Sequence, residues 1–139
     1  MLFPTEMIPI KKWYAYKAKL PPGSDNKHRI IVVYKYLTII RYFYVTSQIE
    51  KVRKKTRDDI MSIVELNSSD WEVLTKDSCI QCNDNNLHEI SEDEFKQFYE
   101  NDEMEYLGEI PEKVKNAITH AICMSSTFTE TEKTLYTTE

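Results

Sequence analysis

The sequence predicts a small, mainly β domain whose C-terminal part is helical. Its 139 residues are 41% hydrophobic and 29% charged, a composition typical of one folded domain with a single core. Residues 29–47 are dense in β-branched and aromatic side chains, which suit a pleated sheet better than a helix. Residues 111–122 repeat apolar side chains at spacings of three and four, which is the pattern of a helix with one buried face.

About five strands are expected, and turn-rich segments separate them. In chain order the predicted strands are 13–20, 29–36, 37–47, 60–66 and 73–83. The segment PPGSDNKH at 21–28 combines residues that favour turns, so a loop should join the first two strands. Residues 49–59 are strongly basic and offer few core side chains, which predicts a protruding connection between strands.

Two helices are expected after the strands. Ser91 and Glu94 have the spacing of a capping box, in which the two side chains satisfy free backbone N–H groups at a helix start. Pro111 suits the first position of the second helix. The apolar face of that helix consists of Val114, Ala117, Ile118, Ala121 and Ile122. Residues 125–139 are rich in Thr and Glu without a period, so the prediction is one domain over 1–124 and a mobile tail over 125–139.

Charge divides the chain into two parts. Residues 11–57 contain 13 Lys and Arg against two acidic residues, whereas residues 58–139 contain 5 Lys against 20 Asp and Glu. Such asymmetry indicates an anionic partner for the basic part. The alternative is that the two parts neutralise each other, either across the fold or across a dimer.

The composition also restricts location and cofactors. The sequence has no apolar run of the ~18–20 residues that cross a bilayer and no cleavable signal at its start, which predicts a soluble cytoplasmic protein without membrane contact. Cys79 and Cys82 are three apart in a predicted strand and therefore point to opposite faces, so we interpret them as buried structural thiols. The histidines His28, His88 and His120 are scattered. We therefore expect no metal site, and no motif indicates a nucleotide or other cofactor.

Reactive side chains cluster at two predicted strand ends. Lys27, His28 and Arg29 begin one strand, and Thr46 and Ser47 end the next. Antiparallel pairing of these strands would place a cation, an imidazole and two hydroxyls at one edge of the sheet. This set suits metal-independent RNA cleavage, in which a base accepts the 2′-hydroxyl proton, a cation stabilises the charged phosphorane and an acid protonates the leaving oxygen. The alternative is a solvated loop followed by an ordinary strand end.

Further residues suit binding of single-stranded RNA. The expected phosphate-binding residues are Lys27, Ser47, Lys51, Arg53, Lys54, Lys55 and Arg57. Tyrosines on the central strands that face outward would stack on unpaired bases, and the candidates are Tyr34, Tyr36, Tyr42 and Tyr44.

Over roughly residues 10–124 the chain resembles the MazF/PemK-like toxins. The similar segments are NKHRIIVV at 26–33, YVTSQ at 44–48, VELNSSDWEVLTKDSCIQCN at 64–83 and EIPEKVKNAITHAICMS at 109–125. The resemblance implies a dimeric SH3-like barrel that acts as a ribosome-independent RNA endonuclease. It also implies an antitoxin protein that covers the RNA groove beside residues 51–57.

Carried over by residue, the resemblance places Arg29 or His28 at the catalytic arginine and Thr46 at the catalytic threonine or serine of these toxins. Two positions depart from the usual pattern. Ile30 follows Arg29 where the toxins usually have proline, and residues 82–88 contain no arginine where they often have one. These departures favour an alternative function, a catalytically silent SH3-like barrel that binds nucleic acid or a partner protein.

Overall fold

The structure, a computed structural model, describes residues 9–20 and 26–138. Within them the chain is a mixed α/β protein built on a seven-stranded antiparallel sheet. The strands are β1 (Tyr14–Ala18), β2 (His28–Tyr36), β3 (Ile39–Thr46), β4 (Ile63–Leu66), β5 (Ser78–Gln81), β6 (His88–Ser91) and β7 (Met104–Glu109). Residues 1–8 of the predicted domain and 21–25 of the predicted first loop lie outside the described residues.

β2 and β3 form the central hairpin. Ile30 pairs with Tyr44 and Tyr36 pairs with Ile39, and the register shifts once, between Val32 and Tyr34. Leu37 adopts a positive φ of 52° in the connecting turn, so the second strand begins at Ile39, two residues after its predicted start. The hairpin therefore occupies the segment that the β-branched and aromatic side chains predict.

The sheet order is β4-β5-β3-β2-β1-β7, and β6 pairs with the first half of β3. Over the described residues the edge strands β4 and β7 do not pair with each other, so the sheet is open. The five expected strands are all present. β6 and β7 are additional, because their short and largely exposed sequences become strands only through pairing with β3 and β1.

The helices are α1 (Ile49–Lys55), α2 (Glu92–Glu100), α3 (Glu112–Met124) and α4 (Glu130–Thr137). Ser91 accepts a hydrogen bond from the backbone N–H of Glu94 at 3.2 Å, which confirms the predicted start of α2. Pro111 stands at the N-cap of α3, one position before the predicted place. None of the helices in the described part of the chain is long and apolar enough to cross a membrane.

Two predictions for the irregular segments differ from the structure. The basic segment 49–59 contains helix α1 followed by a 3₁₀ segment (Arg57–Ser62), because Val52 supplies a buried anchor on one helix face. The tail after Ser125 contains α4. Its capping box joins Thr129 and Glu132, and Tyr136 is buried against the domain.

Both faces of the sheet are covered, so there are two apolar cores. Alternate residues of the central strands point to opposite faces. On one face Ile31 and Phe43 pack against α3 through the predicted apolar stripe, in which Val114, Ile118, Ala121 and Ile122 are buried and Ala117 is partly buried. On the other face Ile30 and Tyr42 pack against Phe95 of α2.

Candidate functional site

The register of β2 and β3 brings the predicted reactive residues together. Ile30 pairs with Tyr44, so the preceding residues of β2 lie beside the last residues of β3. His28 therefore approaches Thr46 on the α2 face of the sheet, and Arg29 approaches Val45 on the α3 face. The predicted meeting of these two strand ends is confirmed.

A cleft of about 290 Å³ lies at this end of the hairpin, and we call it the basic cleft. Its lining residues are Lys27, His28, Arg29, Val45, Thr46, Ser47, Gln48, Thr75, Lys76 and Ser78. It contains all five reactive residues that the sequence placed at the strand ends. Lys76, which precedes β5, is an additional cation of the cleft that the sequence analysis did not include.

One hydrogen bond fixes the Arg29 guanidinium. Nε donates to the backbone oxygen of Val73 at 3.1 Å, which ties β2 to the loop between β4 and β5. Within the described residues both terminal nitrogens of Arg29 have no protein partner. An arginine carries five N–H donors in a planar fork, so four remain to bind an anion in the cleft.

The Thr46 hydroxyl is oriented by the backbone. Its Oγ1 accepts a hydrogen bond from the N–H of Gln48 at 3.2 Å, which closes a short turn at the start of α1. A hydroxyl that accepts in this way keeps its own proton to donate. Thr46 can therefore donate to an oxygen atom bound in the basic cleft.

His28 lies on the exposed side of the same cleft. Its ring packs edge-on against Tyr44, with 5.8 Å between ring centroids. Tyr44 is held in turn because its hydroxyl donates to the backbone oxygen of Leu20 at 2.6 Å. The described part of the protein holds His28 by this ring contact and by no side-chain hydrogen bond.

A second cleft of about 310 Å³ continues from the first, and we call it the histidine cleft. Its lining residues are Tyr44, Thr46, Gln48, Lys51, Val52, Lys55, Gln81, Asn86 and His88. Thr46 and Gln48 line both clefts, so the two form one groove along the end of the sheet.

His88 is a site residue that sequence reasoning missed. It pairs with Tyr42 across β6 and β3, and its ring lies 5.0 Å from that of Tyr44. Burial lowers the pKa of His88 below its ordinary value, which favours the neutral imidazole. Its position beside Thr46 depends on the pairing of a four-residue strand, for which the sequence contains no distinct signal.

Of the basic residues predicted in 49–59, two face the groove. Lys51 and Lys55 line the histidine cleft because they flank the buried Val52 on one side of α1. Arg53 points away and is paired with Glu50 and Glu65. Lys54 and Arg57 line neither the basic cleft nor the histidine cleft.

The four candidate tyrosines have different environments. Tyr42 is buried, and the ring of Tyr34 packs edge-on against Tyr136. Tyr36 is 60% exposed at the hairpin tip, remote from the strand ends that form the groove. Tyr44 alone of the four lines the groove.

Cys79 and Cys82 are buried free thiols, as the strand spacing predicted. Burial raises the pKa of Cys79 to about 11 and also raises that of Cys82, so both thiols stay protonated near neutral pH. Over residues 9–20 and 26–138, no group of three or more His, Cys, Asp or Glu side chains is arranged to hold a metal ion.

Comparison with protein-family models and with curated proteins found no match for this sequence. The groove combines cations, a fixed guanidinium, oriented hydroxyls and two imidazoles along one surface.

Proposed function

We propose that this protein binds single-stranded RNA in the groove and cleaves it in the basic cleft without a metal ion. The observation that carries the proposal is the convergence of His28, Arg29, Thr46 and Lys76 in one cleft of about 290 Å³. A base, phosphate-binding cations and a hydroxyl donor are the groups that cleavage by an internal 2′-hydroxyl requires.

In the proposed reaction His28 accepts the proton of the 2′-hydroxyl. The 2′-oxygen then forms a bond to phosphorus, while the bond from phosphorus to the 5′-oxygen breaks. The free N–H groups of Arg29 and the hydroxyl of Thr46 donate to the phosphorane oxygens, whose negative charge grows in the transition state. Lys76 supplies the proton that the leaving 5′-oxygen takes up. The products are a 2′,3′-cyclic phosphate and a 5′-hydroxyl.

The test is cleavage of a fluorescent single-stranded RNA in the presence of EDTA. We expect products from the parent protein and none from an otherwise identical 2′-deoxy oligonucleotide, because the deoxy strand lacks the nucleophile. Arg29→Ala and Thr46→Val should abolish most of the activity. Intact RNA with the parent protein, or equal cleavage of the deoxy strand, would refute the proposed reaction.

A catalytically silent RNA-binding protein is the second candidate. It is favoured by the weak fixation of His28, which is exposed and held by one ring contact. Ile30 after Arg29 also departs from the usual toxin sequence. This candidate predicts RNA affinity that falls steeply with salt but yields no products, so a binding titration followed by gel analysis separates the two functions.

The resemblance to the MazF/PemK-like toxins also suggests a barrel type, a location, an oligomeric state and a protein partner. We propose an SH3-like barrel variant of that kind, active as a cytoplasmic homodimer. We also propose an antitoxin whose acidic or amphipathic segment would occupy the groove and compete with RNA for Lys51 and Lys55. Relief of toxicity by a co-expressed acidic partner, together with a dimer in mass measurements, would support these assignments.

A further inference from the structure

A third cleft, of about 480 Å³, extends the groove beyond α1. It shares Lys55, Gln81 and Asn86 with the histidine cleft. Amide and hydroxyl side chains dominate its lining, and we call it the amide cleft. Such groups recognise neutral polar ligands through directed hydrogen bonds.

A chain of hydrogen bonds sets the direction of each amide in this cleft. Ser62 donates its hydroxyl proton to the backbone oxygen of Asp59 at 2.7 Å, so its oxygen accepts from Nδ2 of Asn83 at 3.2 Å. The Oδ1 atom of Asn83 therefore faces Asn86 and accepts from its Nδ2 at 2.7 Å. The same nitrogen of Asn86 also donates to Oε1 of Gln81 at 3.3 Å.

Gln81, at the far end of this series of hydrogen bonds, is held by a second donor as well. Thr56 donates its hydroxyl proton to Oε1 of Gln81 at 3.1 Å, so that oxygen accepts two hydrogen bonds. The Gln81 amide is consequently held with Nε2 directed away from both donors. Gln81 and Asn86 are both half-buried and held by these hydrogen bonds. Their remaining polar atoms are therefore positioned before any ligand binds.

Two amide atoms in this series of hydrogen-bonded side chains remain without partners among the described residues. They are the Nε2 donor of Gln81 and the Oδ1 acceptor of Asn86. They belong to adjacent, hydrogen-bonded amides on the wall that the two clefts share. A donor on one amide and an acceptor on its hydrogen-bonded neighbour can together complement the edge of a nucleobase, which presents a ring or amino N–H beside a carbonyl or ring nitrogen.

The surroundings favour a base over a phosphate at this point. Asp58 and Asp59 line the amide cleft, and their carboxylates repel a phosphate group. On the other side of the shared wall, the rings of Tyr44 and His88 offer surfaces for stacking. Lys51 and Lys55 are placed to hold the neighbouring phosphates.

We infer that Gln81 and Asn86 form a recognition site for one unpaired nucleobase of the bound RNA. The inference rests on the proposed function, because it takes single-stranded RNA as the ligand of the groove. It adds that binding is selective for base identity, with selectivity arising at the amide pair. The cations of α1 contribute affinity without selectivity.

The test measures the affinities of four labelled homopolymeric oligonucleotides of equal length, made 2′-O-methyl to prevent cleavage. The parent should bind one of them about tenfold more tightly than the weakest. Gln81→Met removes the free donor at similar side-chain volume and should reduce that preference to about twofold or less. Gln81→Glu also removes the free donor but keeps the acceptor for Thr56 and Asn86. It should reduce the preference to the same extent, so the effect of Gln81→Met could not be attributed to the loss of those two hydrogen bonds or to misfolding.

Two further variants serve as matched controls. Asn85→Ala removes an exposed amide from the same cleft that lies outside the hydrogen-bonded chain, and it should retain the preference. Lys55→Ala should weaken binding of all four oligonucleotides by a similar factor. Circular dichroism establishes that each variant is folded.

The outcomes separate this inference from the proposed function. Equal affinity of the parent for all four oligonucleotides would overturn base recognition and leave RNA binding standing. A preference that survives both folded Gln81 variants would also overturn it. Absence of binding to any oligonucleotide would overturn the proposed function and this inference together.

Discussion

Arg29 illustrates how one side chain can serve both the fold and the proposed reaction. Its Nε bonds to the Val73 backbone oxygen, while its terminal nitrogens remain for a ligand. Thr46 is similar, since its oxygen accepts from the Gln48 N–H and its proton remains to be donated. Donors fixed before the substrate arrives need no reorganisation during the reaction, and this is the main source of electrostatic catalysis.

Arg29→Lys is expected to lower the cleavage rate about 100-fold while changing RNA affinity little. Lysine keeps the positive charge, but it lacks both the Nε that bonds to Val73 and the planar fork. Single-turnover cleavage and fluorescence anisotropy measure the two effects separately. An Arg29→Lys variant as active as the parent would show that charge alone is required.

His88 is expected to make stability depend on pH. Burial lowers its pKa in the folded state, so the unfolded chain binds the proton more readily and low pH favours unfolding. The stabilisation is complete above the ordinary histidine pKa and is lost as pH falls from that value through the lowered pKa of the folded state. Thermal melting at about pH 7.5 and about pH 5.5 should show a smaller loss for His88→Phe than for the parent. Equal losses would contradict the argument.

At the scale of elements, α4 shows how tertiary contacts complete a weak helix. Its sequence has no apolar period, yet a capping box starts it at Thr129 and one aromatic side chain anchors it. The Tyr136 ring packs against Phe128 and Tyr34, and its hydroxyl accepts a hydrogen bond from Arg41 at 2.6 Å. Two buried rings, Phe128 and Tyr136, therefore help to order a segment that composition alone describes as a tail.

Tyr136→Ala is expected to reduce the free energy of unfolding by about 3–5 kcal/mol, because the side chain is only 1% exposed. Leu135→Ala is the matched control on the same helix, where the side chain is 42% exposed. That change should stay within about 0.5 kcal/mol. Urea unfolding monitored by circular dichroism measures both values, and similar effects of the two substitutions would indicate that α4 is not docked.

In the folded molecule as a whole, the basic residues fall into two groups. Some basic residues pair with the acidic part of the chain, as in the ion pairs Lys35–Glu92, Arg41–Glu89 and Arg53–Glu65. Others line the groove and form no ion pair among the described residues. These groove cations are Lys27, Arg29, Lys51, Lys55 and Lys76. Neutralisation across the fold is thus seen for one set of side chains, and an anionic partner for the groove cations stays a prediction.

The affinity for single-stranded RNA is expected to fall with salt at a logarithmic slope of about −3.5 if all five groove cations contact phosphates. Lys55→Ala should reduce the magnitude of that slope by about 0.7. Lys54→Ala is the matched control, because Lys54 lies on the same helix but lines neither cleft of the groove. Anisotropy titrations at several salt concentrations test this, and equal slopes for the two variants would contradict the assignment.

Local pattern alone was enough to determine the five expected strands, the start of α2, the buried face of α3 and the meeting of His28 with Thr46. Each of these depends on side chains close in sequence or on the simple geometry of a hairpin. Only the tertiary structure decided that β6 and β7 are strands, that Lys51 and Lys55 face the groove while Arg53 does not, and that His88 and Lys76 join it. These features depend on partners distant in the chain, and no local pattern records which distant segments will pair.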